Sequence, residues 1–170
     1  MCTALIVVCS WITVPIPAMQ FTLQVFAVAF TAYFLGAKRA VFAVLAFLLL
    51  GLVGVPVFSN FNAGVGAFAG PTGGFLVGFI PFTLIVSLFS HFGKEKVVNQ
   101  VIGGVIGHIA LYITGNLWLV FVQGFSSTAE FYSKLWAVVL LMLPYYAIDI
   151  IKIVGALFLA RLLKRVLQYE

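Results

Sequence analysis

The sequence predicts an all-α integral membrane protein with six transmembrane helices, both termini cytoplasmic and a Gly-rich outer loop between helices three and four. Three observations predict it. Of 170 residues, 64% are hydrophobic and 8% charged, and the mean hydropathy of +1.23 is far too apolar for a water-soluble domain. Turn signals divide the chain into six apolar runs, each near the ~20 residues that cross a bilayer or shortened by loops that dip into it. Lys38 with Arg39, Lys94 with Lys96, and Arg161, Lys164 and Arg165 fall on one side if the six runs alternate. Lys and Arg collect in cytoplasmic loops, so that side is the cytoplasm.

Span one runs from about Met1 to Val14, without a charged leader region or a small-residue cleavage site, and reads as a retained first span. The link VPIPAMQ leads to span two, Phe21 to Leu35, which stops at Gly36 before Lys38 and Arg39. Span three runs from about Ala40 to Val55 and stops at Pro56. The stretch VFSNFNAGVGAFAGPTGG, Val57 to Gly74, is too polar and flexible for a lipid-exposed helix and is either a surface loop or a plug. Span four, Phe75 to Phe92, ends at Gly93, Lys94, Glu95 and Lys96, and span five follows from Val97 to about Val122. After the polar loop QGFSSTAEFYSK comes span six, about Leu135 to Leu163. Its length exceeds one bilayer thickness, so tilt, a kink near Pro144 or an overhanging end is expected.

Residues 1–170 read as a single membrane-embedded domain without a domain-sized repeat. Gly70, Gly74 and Gly78 form one small-residue stripe and Gly103 with Gly107 a GxxxG, both signals of close helix contact. Cys2 and Cys9 share one short segment, so no disulfide framework is expected.

Chemistry concentrates in PYYAIDIIK, where Asp149 and Lys152 share a helix face inside the last apolar span. A lone ionisable group at the bilayer centre costs roughly 2.5 to 3.5 kcal/mol even on lenient insertion scales. The pair either neutralises itself as a structural contact or faces a small polar solute, the carboxylate accepting N–H donors and the ammonium meeting an oxygen. Glu95 and Glu170 fall at cytoplasmic positions and Glu130 in an outer loop, which leaves Asp149 as the acid at depth. One carboxylate does not make a proton relay, and no ring of charges suggests a pore filter.

No HExxH, GxSxG or Walker A motif is present. His91 and His108 lie on different spans with no partner at ligand spacing, so no metal site and no cofactor in this chain are expected; His108 suits an interhelical hydrogen bond. The scattered net charge of +5 is no nucleic-acid surface. Asn60, Asn62 and Thr72 of the Gly-rich segment are placed to lower polar groups over a solute, Asn116 of span five is a weaker candidate, and Trp11, Phe21, Tyr145 and Tyr146 suit an apolar wall. A solute receptor is the favoured reading and an enzyme is not. The alternatives are an intramembrane enzyme using Asp149 as acid or base, and a structural subunit with a buried Asp149/Lys152 pair.

The order LGAKRA, then LGLVGVPVFSNFNAGVGAFAGPTGGFLVGF, then LPYYAIDIIK resembles the BioY family over nearly the whole chain. Members of that family are biotin-specific S components of energy-coupling factor transporters. The resemblance implies six helices and a biotin pocket near the outer face, shaped by the first and third outer loops and spans four to six. It implies polar contacts at Asp149 and Lys152 of DIIK, and at Asn62 before the GPTGG block. Asp149 would accept from the ureido N–H groups, Asn62 would meet the ureido edge, and Lys152 would meet a ligand oxygen or orient Asp149.

The resemblance further implies a bacterial cytoplasmic membrane and a transmembrane coupling protein, the T component, joined to two cytoplasmic subunits that hydrolyse ATP. Docking in such proteins uses small residues of span one, often AxxxA; the corresponding positions here are Ala4 and Val8, and the second small residue is missing. Toppling in the membrane is the implied transport motion. Apart from Glu130 and Lys134, the expected outer loops carry no formal charge, which lowers the cost of bringing that face into lipid.

Overall fold

The computed structural model describes residues 1–14, 21–92 and 96–167. Helix α1 (Cys2–Trp11) is followed by a small hairpin in which β1 (Thr13–Val14) pairs antiparallel with β2 (Phe21–Thr22). Then come α2 (Gln24–Leu35), α3 (Ala37–Leu52), a 3-10 turn (Ser59–Phe61), α4 (Val65–Ala69), α5 (Gly73–Phe92), α6 (Val97–Gln123) and α7 (Thr128–Leu167). Residues 15–20, within the expected link, and residues 93–95, with Lys94 and Glu95, lie outside the described residues, as does Glu170.

Three of these helices, α5, α6 and α7, are long and apolar enough to cross a membrane, whereas α1 and α2 are shorter apolar helices. The first span, expected as helix to Val14, is helical only as far as Trp11. β-Branched Thr13 and Val14 favour a strand, and a residue preceding proline is pushed out of the helical region. At the other end of span two, Gly36 holds φ +75, a left-handed value that lets α2 reverse directly into α3.

The expected outer loop at 123–134 is mostly helix, and only 124–127 separate α6 from α7. A capping arrangement explains the difference. The Glu130 N–H donates to Ser127 Oγ at 3.2 Å while Glu130 Oε2 accepts from the Ser126 N–H at 2.7 Å. Lys134 Nζ pairs with Glu130 at 2.8 Å and donates to the Gly124 carbonyl at 2.7 Å. That pairing holds the exposed Glu130 carboxyl below its ordinary range. Pro144 does not interrupt α7, whose 40 residues amount to about 60 Å at ~1.5 Å per residue. The overhang is therefore realised, since a hydrocarbon core is ~30 Å thick.

Small and polar residues are concentrated on the inward face of α6. On α6 the buried positions are Gln100, Gly103, Gly104, Gly107, His108, Leu111, Tyr112, Gly115, Asn116, Leu119 and Val120, while Ile109, Ile113, Leu117 and Phe121 face outward. Small and polar groups turn inward because lipid accepts the bulky ones. The α5–α6 contact is so close that a Cβ on Gly74 would lie 2.7 Å from the Thr114 carbonyl oxygen, a backbone atom that cannot yield cheaply. Gly107 sits similarly against the Phe82 carbonyl of α5. Gly70 stands apart from this seam, in the turn before α5, where its carbonyl accepts from Trp118 Nε1 at 3.0 Å.

The Gly-rich segment folds as a cap over one end of the bundle. Phe58 is buried, edge-on to both Phe47 and Phe68, and Ser10 Oγ donates to the Val57 carbonyl. At the opposite end, Tyr33 donates to the Gln100 carbonyl at 3.0 Å. The Gln100 side chain there joins Ser90 at 2.7 Å and Arg161 at 2.6 Å. That end also carries Lys38, Arg39, Lys96, Lys164 and Arg165, because α2, α5 and α7 finish there.

Candidate functional site

Beneath the cap, the starts of α2 and α5 meet the middles of α6 and α7 around a cavity of about 80 Å³. Its apolar wall includes Val25, Phe58, Phe75, Phe79 and Leu111; its polar groups come from Asp149, Lys152, Tyr112, Thr22, Gln24, Asn62 and Thr72. A groove on the outer side of α6 and α7 is larger, about 560 Å³, but no charged residue lines it. Chemistry therefore picks the smaller space, since ligand sites are apolar clefts with a few convergent polar groups.

Asp149 is the acceptor at the centre. It is 6% exposed, and its Oδ1 lies 2.7 Å from Lys152 Nζ, one helical turn further along α7. Its Oδ2 accepts from the Tyr112 hydroxyl of α6 at 2.7 Å. Lys152 Nζ also donates to the Thr22 carbonyl at 2.7 Å and sits 3.6 Å from the centroid of the Phe21 ring. The buried charges are thus paired and hydrogen-bonded, the condition under which a low-dielectric site tolerates them. Each carboxylate oxygen keeps a further lone pair for a donor arriving through the cavity.

Asp149, Lys152, Asn62, Thr72, Tyr145 and Phe21 line the same cavity. Asn62 is exposed at its rim, with Oδ1 accepting from the Ala63 N–H at 2.9 Å. Four expected positions lie outside the lining. Asn60 takes a left-handed conformation, φ 55, and accepts from the Thr13 hydroxyl at 3.1 Å, so it serves the turn. Asn116 faces the outer groove and donates to the Tyr146 hydroxyl at 2.7 Å. Tyr146 packs behind the cavity on Tyr112, ring centroids 4.2 Å apart, and Trp11 donates to the Pro56 carbonyl at 2.9 Å.

His108, expected in an interhelical hydrogen bond, is buried with neither ring nitrogen paired in good geometry among the described residues. It packs edge-on against Tyr112 and, across to α7, Tyr146.

Sequence reasoning missed Tyr112, Gln24 and Thr22. His108, Tyr112 and Asn116 recur every four residues, a polar stripe on one face of an apolar span that would have revealed Tyr112. Thr22 acts through its main-chain carbonyl, for which no side-chain pattern exists. Tyr112→Phe removes the donor to Asp149 Oδ2 while keeping the ring. Hydrogen bonds to charged groups contribute about 1.5 to 3 kcal/mol, so a lower thermal midpoint in detergent is expected, and an unchanged one would show that the hydroxyl does not hold the carboxylate.

A family model described as the BioY family matches residues 1–169. The chain is 39% identical to the biotin transporter BioY of Thermotoga maritima, over 96% of this chain and 91% of that protein. It is 33% identical to a probable biotin transporter BioY of Pyrococcus horikoshii, over 95% and 90% of the two chains. Its fold is similar, with a TM-score of 0.80 and 26% identity, to the crystal structure of the S-component for biotin from an ECF-type ABC transporter, covering 96% of this chain and 87% of that one. The match of the whole chain to one family model, with relatives and a solved fold at nearly full length, makes it a multi-pass membrane protein that belongs to the BioY family.

Proposed function

We propose that the chain captures biotin in the Asp149 cavity and is the substrate-specific subunit of biotin uptake. The observation that carries this reading is a buried carboxylate, held by Lys152 and Tyr112, in the wall of an otherwise mostly apolar cavity. Biotin brings two ureido N–H donors for that carboxylate and a fused ring system for Phe75, Phe79 and Leu111. Asn62, at the rim, meets the ureido edge. Thr72 and Tyr145 complete the wall. The relatives carry the name biotin transporter, and the solved neighbour is an S-component for biotin.

The helices are read as six crossings with both termini in the cytoplasm of a bacterium and the cavity facing outward. The gathering of basic residues at the end of the bundle away from the cavity supports that orientation. A transmembrane coupling protein with two cytoplasmic ATPase subunits supplies the energy, and ATP is hydrolysed there and not in this chain. Ala4 and Val8, both exposed on α1, are the proposed docking positions.

The test is equilibrium binding of labelled biotin to the purified protein in detergent, with unlabelled biotin and lipoate as competitors. Lipoate shares the carboxylate tail and a sulfur ring but has no ureido group. Saturable binding displaced by biotin and not by lipoate is expected. No binding by monodisperse protein, or equal displacement by lipoate, would remove the reading.

A further inference from the structure

Gln24 is the buried side chain of the cavity wall whose hydrogen bonding is incomplete. It opens α2 directly after the hairpin, is 7% exposed, and its Nε2 has no partner among the described residues. The neighbouring Thr22 hydroxyl engages the oxygen end of the amide. Thr22 Oγ1 accepts from the Gln24 backbone N–H at 3.3 Å and donates its own hydrogen to Gln24 Oε1 at 3.2 Å. The amide oxygen is therefore used, and the NH₂ group keeps two donors without an acceptor.

A buried donor left unmade is unfavourable, and such a group in a native wall calls for an explanation. Thr83, His108 and Asn116 also hold unpartnered buried atoms, but none of them lines this cavity. Gln24 does, and it is linked through Thr22 to Lys152 and thence to Asp149. The cavity thus offers an acceptor in Asp149 and an unused donor in Gln24. A ligand that complements both presents N–H donors beside a carbonyl oxygen, which is the chemistry of a cyclic urea.

We propose that Gln24 is a specificity-determining residue whose Nε2 donates to the ureido carbonyl oxygen of the bound ligand. This rests on the biotin reading above. The cavity then reads both sides of the urea, with N–H groups on Asp149 and the carbonyl on Gln24. A site built to pair with a polar group rejects an analogue lacking it far more strongly than it rejects a change in apolar bulk.

The probes are biotin and 2-iminobiotin, in which the ureido carbonyl is replaced by a protonated imine that donates and does not accept. Each is titrated against the wild type, Gln24→Glu and Gln24→Met. The wild type is expected to prefer biotin. Gln24→Glu exchanges the donor for an acceptor, so biotin binding should fall at least about tenfold while 2-iminobiotin gains, inverting the preference. Gln24→Met keeps the length without polar atoms. It should fall about tenfold for biotin while the ligand-free thermal midpoint stays near that of the wild type, because the orphan donor is gone and the half-buried Thr22 hydroxyl loses its acceptor in exchange.

A merely structural Gln24 would lower that midpoint and weaken both ligands alike, and this outcome overturns the proposal. So does Gln24→Met binding biotin as the wild type does, or an unchanged ratio of the two affinities in both variants. Wild-type protein that binds neither ligand overturns the biotin reading and the proposal with it, whereas binding with an unaltered ratio overturns the proposal alone.

Discussion

Asp149→Asn is expected to weaken biotin binding by about two orders of magnitude. The substitution preserves shape but replaces one acceptor with an NH₂ that faces donors wherever it turns: the Lys152 ammonium, the Tyr112 hydroxyl or the ureido N–H. Hydrogen bonds to a charged group contribute about 1.5 to 3 kcal/mol each. The loss of charge on the bonds to the ligand, with one of them reversed in polarity, amounts to roughly 3 kcal/mol, or about a hundredfold. Equilibrium binding on detergent-purified protein measures it. A thermal midpoint on the same sample separates loss of the site from loss of the fold, because the neutral amide leaves Lys152 without its counter-charge. Wild-type affinity in the variant would remove Asp149 as the ureido acceptor.

Lys152→Met is the second large effect, and its signature is different. The ammonium has three donors: one goes to Asp149 Oδ1, one to the Thr22 carbonyl, and the ring of Phe21 covers the site at 3.6 Å. It is occupied before any ligand arrives. If its work is to hold the carboxylate and the hairpin in place, the affinity lost on substitution is lost through Asp149. Breaking a buried pair from one side costs about 3 to 5 kcal/mol, and both the thermal midpoint and the affinity should fall. The double variant Asp149→Asn with Lys152→Met should bind no worse than Asp149→Asn alone, since the two act as one unit. Additive losses would instead show that Lys152 touches the ligand in its own right.

Charge in an apolar span is the loudest signal a membrane sequence carries, and Asp149 and Lys152 stand out for that reason. The long helices are equally plain, because α5 and α6 begin and end within two residues of the apolar runs that predict them. What escapes has a physical basis. Both faces of α6 are compatible with an apolar surrounding, so hydrophobicity alone does not say that Tyr112 turns inward and Ile113 outward. The first turn of α7 is hidden in polar residues, although Ser127 and Glu130 spell the capping pattern that starts a helix. Asn60 and Asn62 are two residues apart in the same turn, and the left-handed backbone at Asn60 and Phe61 decides which one reaches the cavity. Gln24 is an ordinary polar residue at a span's edge until its missing partner becomes visible.

The bond from Lys152 to the Thr22 carbonyl ties the centre of α7 to β2, and β2 is paired with β1, which follows directly from α1. The ion pair of the site and the proposed docking helix are therefore joined by one short mechanical path. Binding free energies around such a path are reciprocal. If a partner gripping α1 strains that hairpin, it changes the affinity for the solute by some factor, and the solute changes the partner's hold on α1 by the same factor. Loading and coupling would then be two readings of a single equilibrium, with no separate sensor needed to report that the cavity is full.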